Sequence, residues 1–159
     1  MRTIIFTIAL FFESLIIFSQ DFEYLKKVDT IYIEFKGNKN AKKYSIQTRI
    51  QPISFDERAY DFVIHGKWAL YFHHTEYKNW EKKEANIVSE VRKVNKIFVK
   101  KHRKEIIGIE FFKNFKSQDI VCDILTQLKV LYIIDFTEKK KGEVMAYEVS
   151  SINICPVSE

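Results

Sequence analysis

Ala59-Tyr60-Asp61-Phe62-Val63-Ile64-His65-Gly66-Lys67-Trp68-Ala69-Leu70-Tyr71-Phe72-His73-His74 carries the pattern that decides the fold. Tyr60, Phe62 and Ile64 alternate with more polar neighbours, and Trp68, Leu70, Phe72 and His74 do the same after Gly66. A period of two puts each set on one face of a strand. Gly66 supplies the tight turn between them. Two antiparallel strands, over about 59–65 and 67–74, with one buried face are therefore expected.

The pattern continues upstream. Ile31, Ile33 and Phe35 alternate with Tyr32, Glu34 and Lys36, and residues 43–51 alternate again. Gly37-Asn38-Lys39-Asn40 lies between them as a turn cluster, so the two runs read as a β-hairpin with a longer loop. Pro52 ends the second strand because it has no N–H to give to the ladder. The first half is thus expected to be an antiparallel meander.

Downstream the period changes. Ile87, Val91, Val94 and Phe98 follow spacings of four, three and four, which is one stripe of a helix. The stretch is also rich in β-branched residues, which stiffen a helix. A strand near 86–93 followed by a helix capped at Asn95 is the competing reading, and helix over about 95–104 is common to both. Ser117 is a good N-cap for a helix over 118–127, with Ile120, Val121, Ile124, Leu125 and Leu128 as its apolar stripe. Residues 129–135 are apolar on both faces, as in a central strand. The chain turns at Glu138-Lys139-Lys140-Lys141-Gly142 and returns over 143–150. The whole reads as α+β: an antiparallel sheet of about six strands, a meander plus a C-terminal hairpin, with two or three helices on one face.

The N-terminus gives the compartment. Met1-Arg2 is followed by an apolar run from Ile4 to Phe18, interrupted by Glu13-Ser14 and closed by Ser19-Gln20. This is the layout of a secretory signal peptide over residues 1–19, cut after Ser19 or Gln20, with one globular domain over 20–159. The run is shorter than the roughly 20 apolar residues that span a bilayer. No later segment is long and apolar enough to span, so the mature chain is expected to lack a transmembrane segment, in the periplasm or outside the cell.

Phe18-Ser19-Gln20 followed by Val28-Asp29-Thr30-Ile31-Tyr32-Ile33-Glu34-Phe35-Lys36-Gly37-Asn38 resembles small exported proteins of unassigned function from Bacteroidota-type bacteria. Val94-Asn95-Lys96 adds a weaker echo. The resemblance implies export in a Gram-negative cell. It brings no activity and no functional residue with it.

Composition limits the function classes. The 159 residues are 47% hydrophobic and 30% charged, with 14 Phe and 8 Tyr but only four Gly and two Pro, so the chain is globular with an aromatic core. Each Gly stands alone, which excludes a phosphate loop. There is no Gly-x-Ser-x-Gly, His-Glu-x-x-His or Cys-x-x-Cys motif, and no cofactor is implied. The net charge of +5 favours acidic partners: an acidic protein, a glycan or an anionic lipid surface, with nucleic acid disfavoured by export.

Four constellations remain. Residues 92–104 hold seven Lys or Arg and no acid, and Arg92, Lys93, Lys96, Lys100, Arg103 and Lys104 form the candidate binding surface. Cys122 and Cys155 either bridge, tying the tail to the 118–127 helix, or remain separate thiols; Cys122 is expected to be exposed or covered only by another segment. His73, His74 and Glu76 form the one His/carboxylate cluster, but adjacent strand residues face apart, so no metal site is assigned. Tyr32, Glu34, Tyr71 and His73 would form a ligand platform if they share the outer sheet face. The reading is a small exported binding module without enzymatic chemistry. A small exported hydrolase using the His/carboxylate cluster, or a purely structural envelope protein, is the alternative.

Overall fold

The computed structural model describes residues 22–50, 53–79, 89–116, 118–125 and 129–151. The expected signal peptide, Pro52 and Cys155 lie outside the described residues. Helix α1 covers residues 22–27. The chain then runs β1 (Thr30–Phe35), β2 (Ala41–Ile50), β3 (Ile53–Ile64), β4 (Trp68–Asn79), β5 (Val91–Val94), α2 (Lys96–Lys101), β6 (Ile106–Ile107), α3 (Ile109–Lys113), α4 (Gln118–Leu125), β7 (Val130–Lys140) and β8 (Glu143–Ser151).

The fold is α+β and sheet-rich, but the sheet is mixed. Its order is β2-β3-β4-β8-β7-β1-β6, and β5 also pairs with β8. Eight strands replace the expected six among the described residues. The meander β2-β3-β4 is antiparallel throughout, as its alternation predicts. Ile64 faces Trp68 across a short turn in which His65 and Gly66 both take positive φ, 53° and 65°. The glycine there is open on all sides, so its role is conformational freedom.

The expected β1–β2 hairpin does not form. β1 lies parallel to β7, with Thr30 through Phe35 against Val130 through Asp135, and parallel to β6 through Tyr32 and Ile33. The 36–40 segment instead carries the chain to the meander, where the Val63 N–H donates to the Asn40 carbonyl at 2.8 Å. The physical reason is burial on both faces. Ile31, Ile33 and Phe35 enter the main core, while Tyr32, read as outward-facing, is only 5% exposed. A strand covered on both sides sits in the middle of a sheet, and its parallel partner lies 100 residues downstream.

The main core joins two layers. Tyr60, Phe62, Ile64, Leu70 and Phe72 of the meander pack on the β1 and β7 side chains, with α1, α3 and α4 contributing Leu25, Phe112 and Ile124. Phe35 meets Tyr60 and Phe62 edge-on at 5.0 and 5.9 Å between centroids. A smaller core on the other face gathers Tyr32, Tyr132, Ile134, Val144 and Ala146 under Val94 and Phe98. Helices therefore cover both faces, not one. α2 sits over the second core, and the sequence pattern alone could not say so.

The competing reading of residues 86–104 is the one the structure follows over its described part. Strand β5 ends at Val94 and Asn95 caps α2, its side-chain oxygen accepting from the Phe98 N–H at 2.9 Å. At the other end of the chain, β7 and β8 meet through Lys140 and Glu143. Lys141 and Gly142 between them both have positive φ, 49° and 87°, which is the twist a two-residue hairpin turn requires.

Candidate anion-binding groove and a buried polar network

Helix α2 has three faces. Phe98 points inward and meets Tyr32 edge-on at 5.2 Å, with the His102 ring 4.3 Å behind it. Lys96, Val99 and Lys100, spaced three and four apart, turn to one flank, and Arg103 joins them from the turn after the helix. Lys100 and Lys101 fill the last turn, where cations oppose the exposed carbonyl dipole. Ile97 points to solvent and is 77% exposed.

The flank closes a groove of about 520 Å³ against the end of the β7–β8 hairpin. Val94, Val99, Ile106, Phe136 and Val144 give it an apolar floor. Lys96, Lys100, Arg103 and Lys139 ring it with cations, none of which makes an ion pair among the described residues. Glu34 is the acid on its wall, and it is neutralised by Lys36 at 2.7 Å. That wall leans on Gly108: a Cβ there would lie 2.6 Å from Glu34 Oε1 and 2.9 Å from its Cγ, so a side chain at 108 would displace Glu34. Four unneutralised cations over an apolar floor suit an anionic head attached to an apolar body.

The predicted surface residues go to different places. Lys96, Lys100 and Arg103 meet at the groove. Lys104 is exposed in the turn after α2 and does not line it. Arg92 is committed elsewhere: its Nε and Nη2 donate to Glu90 at 2.6 and 2.5 Å, and its guanidinium lies 4.8 Å over the Tyr132 ring. Hydrogen bonds from Arg92 and then Tyr132 hold the Glu90 carboxyl below its usual range. Lys93, next in β5, lines a second cavity instead.

That second cavity, about 780 Å³, lies on the other side of the β7–β8 hairpin. Phe136, Lys139 and Val144 face the first groove, while Thr137, Glu138 and Met145 face the second. Its floor is a charge network. Lys43 donates to Asp135 at 2.7 Å and to Glu138 at 2.5 Å. Arg58 donates to the same Glu138 oxygen at 2.6 Å and stacks 4.5 Å over the Tyr147 ring. The Tyr147 hydroxyl donates to the other Glu138 oxygen. Tyr60 and Thr137 donate to Asp135, which is fully buried. Burial pushes the Glu138 carboxyl up, but hydrogen bonds from Lys43 and Tyr147 and the Arg58 charge outweigh it and hold the group at about 2. Burial and the bond to Glu138 push the Tyr147 hydroxyl up. Every charge of the network is answered within it, so it builds structure. Asp135, a lone acid in the apolar run from Val130 to Phe136, was its sequence signal; its partners were not legible.

The histidines are held apart. His74 is fully buried and its Nδ1 donates to the Glu148 carbonyl at 2.7 Å, with Nε2 3.6 Å from Glu76. His65 Nε2 donates to the Lys113 carbonyl at 2.7 Å. His73 lies on the opposite face of β4 from His74, half-buried and paired in register with Ala59. Tyr32, Glu34, Tyr71 and His73 do not form a platform: Tyr32 is buried between Tyr132 and Phe98, Glu34 walls the groove, and Tyr71 is exposed on the meander. Cys122 is buried in the main core at 7% exposure. No helix among the described residues is long and apolar enough to cross a membrane.

No protein-family model, no curated protein and no solved structure matches this chain.

Proposed function

We propose that this chain is a small exported binding module, without enzymatic chemistry, that holds an anionic component of the cell envelope or its surroundings in the groove beside α2. One observation carries the reading: Lys96, Lys100, Arg103 and Lys139 stand around an apolar floor without an ion pair among the described residues, whereas Arg92, Arg58 and Lys43 are paired. The N-terminal charged and apolar layout supports export. Binding would combine charge complementarity with apolar burial.

Titration calorimetry with dodecyl phosphate, an anion on an apolar tail, tests the groove. The protein should bind it in a salt-sensitive manner, and reversal of charge by Lys96→Glu, Lys100→Glu and Arg103→Glu should abolish binding. Unchanged affinity in the triple variant removes the groove from consideration. The same reading includes a Cys122–Cys155 bridge holding the tail. Intact-mass measurement of the exported protein should find both thiols oxidised to one intramolecular bridge, and two alkylatable thiols without reduction would end that part of it.

A further inference from the structure

We propose that the partner is an anionic lipid bilayer: α2 lies on the membrane surface, Ile97 enters the apolar layer, and the cations around it hold lipid phosphates. The inference rests on the anion-binding reading of the groove and names what presents the anion.

Ile97 is the most exposed large hydrophobic residue among those described, at 77%. A single apolar residue on a surface is ordinary. Its surroundings are not. Lys100 and Lys101 follow it at three and four residues in α2, Lys104 follows in the turn after the helix, and all three are exposed. Lys96, Lys100 and Arg103 stand on the adjoining groove flank. From Val91 to Lys104 there is no Asp or Glu. The helix is anchored from behind by Phe98 on Tyr32, so this tip is presented on a rigid support.

A soluble acidic protein or a free phosphate would answer the cations but gives Ile97 no apolar surroundings. A neutral apolar partner would bury Ile97 and strand the lysines. An anionic bilayer interface answers both at once: lysine stems lie along the acyl boundary with their ammonium groups among phosphates, while the apolar tip passes between them. Basic residues at such a surface each add a modest, salt-screened attraction, so several are needed together. The clustering supplies that number.

The test compares two probes on the purified protein. Co-sedimentation uses vesicles of phosphatidylcholine with or without phosphatidylglycerol; calorimetry uses dodecyl phosphate below its micelle concentration. The protein should sediment with phosphatidylglycerol vesicles only, and less at high salt. Ile97→Asp should weaken vesicle binding about tenfold or more, because an apolar insertion is lost and a like charge to the lipid is gained. Ile97→Leu should retain it and leave dodecyl phosphate affinity unaltered, while Ile97→Asp, whose carboxylate stands beside Lys96 and Lys100, should still bind dodecyl phosphate, with weakened affinity. Since Ile97 is mostly exposed, both variants should fold. Vesicle binding that ignores Ile97→Asp overturns the insertion. Absence of vesicle binding with dodecyl phosphate still held overturns the bilayer while leaving the groove reading intact. Loss of both probes overturns both readings.

Discussion

Two cationic regions flank the same β7–β8 hairpin, and they treat their charges in opposite ways. On one side Lys43 and Arg58 are drawn onto Asp135 and Glu138 at 2.5–2.7 Å, in a site where Asp135 has no exposure at all. On the other, Lys96, Lys100, Arg103 and Lys139 surround an apolar floor with no partner among the described residues. Desolvated charges must be answered within the molecule or they cost several kcal/mol each. Solvated ones carry no such demand and stay available. The difference separates cations that make the fold from cations that can meet something else.

The sharpest way to break the comparison is to unpair the buried side. Lys43→Ala strips Asp135 of its neutralising ammonium and leaves a buried carboxylate held only by neutral donors, the Tyr60 and Thr137 hydroxyls and the Thr137 backbone N–H. Stability measured by urea unfolding should fall by about 3–5 kcal/mol, the cost of breaking a buried pair from one end. The paired replacement Lys43→Met with Asp135→Leu should recover only part of that loss, because the buried charge leaves with its partner while Tyr60 and Thr137 lose their acceptor. A loss below about 1 kcal/mol for Lys43→Ala would mean that water reaches Asp135 and that the network is not a closed one.

Acid should act on the same side more gently. Glu138 has a folded-state value of about 2 against an ordinary 4.5. A carboxyl whose value is depressed by folding contributes stability that is complete above its unfolded value and is lost as pH falls through its folded value. The loss therefore runs from about pH 5 down to about pH 2 and amounts to about 3 kcal/mol at most. Glu138→Gln should flatten that part of the pH–stability curve. An equally steep curve in Glu138→Gln would place the acid sensitivity on other carboxylates.

The contrast also shows what was legible. Period two at 59–74 gave the meander with its buried face, because strand alternation is a local property. The Asn95 cap was legible for the same reason: its bond reaches three residues. The parallel β1–β7 pairing was not, since nothing local distinguishes a half-buried strand from one whose polar-looking face, led by Tyr32, is roofed by Phe98 of a helix 66 residues away. The six cations chosen from sequence share one charge run, yet Arg92 pairs two residues back with Glu90, Lys93 enters the second cavity, and the groove gains Lys139 from the far hairpin. Charge counts find cations; only the partners, 80 to 95 residues distant for Arg58 and Lys43, sort them.

The smallest expected effect sharpens the comparison from the other side. Lys96 and Lys100 stand one turn apart on α2, and like charges at that spacing repel by about 0.2–0.5 kcal/mol in a helix. Neutralising them together with Arg103, by Lys96→Gln, Lys100→Gln and Arg103→Gln, removes that repulsion and breaks no ion pair of the described residues. Lys100 does favour the helix C-terminus, at about 0.3–1 kcal/mol, and Lys101 remains there to supply it. The two terms nearly cancel, so thermal stability should stay within about 0.5 kcal/mol of the parent, while dodecyl phosphate binding is lost. Such a result would be that of residues whose repulsion is tolerated for what they hold. A fall of more than about 1 kcal/mol would instead assign these cations a structural task and place the groove in the same class as the Lys43–Asp135 network.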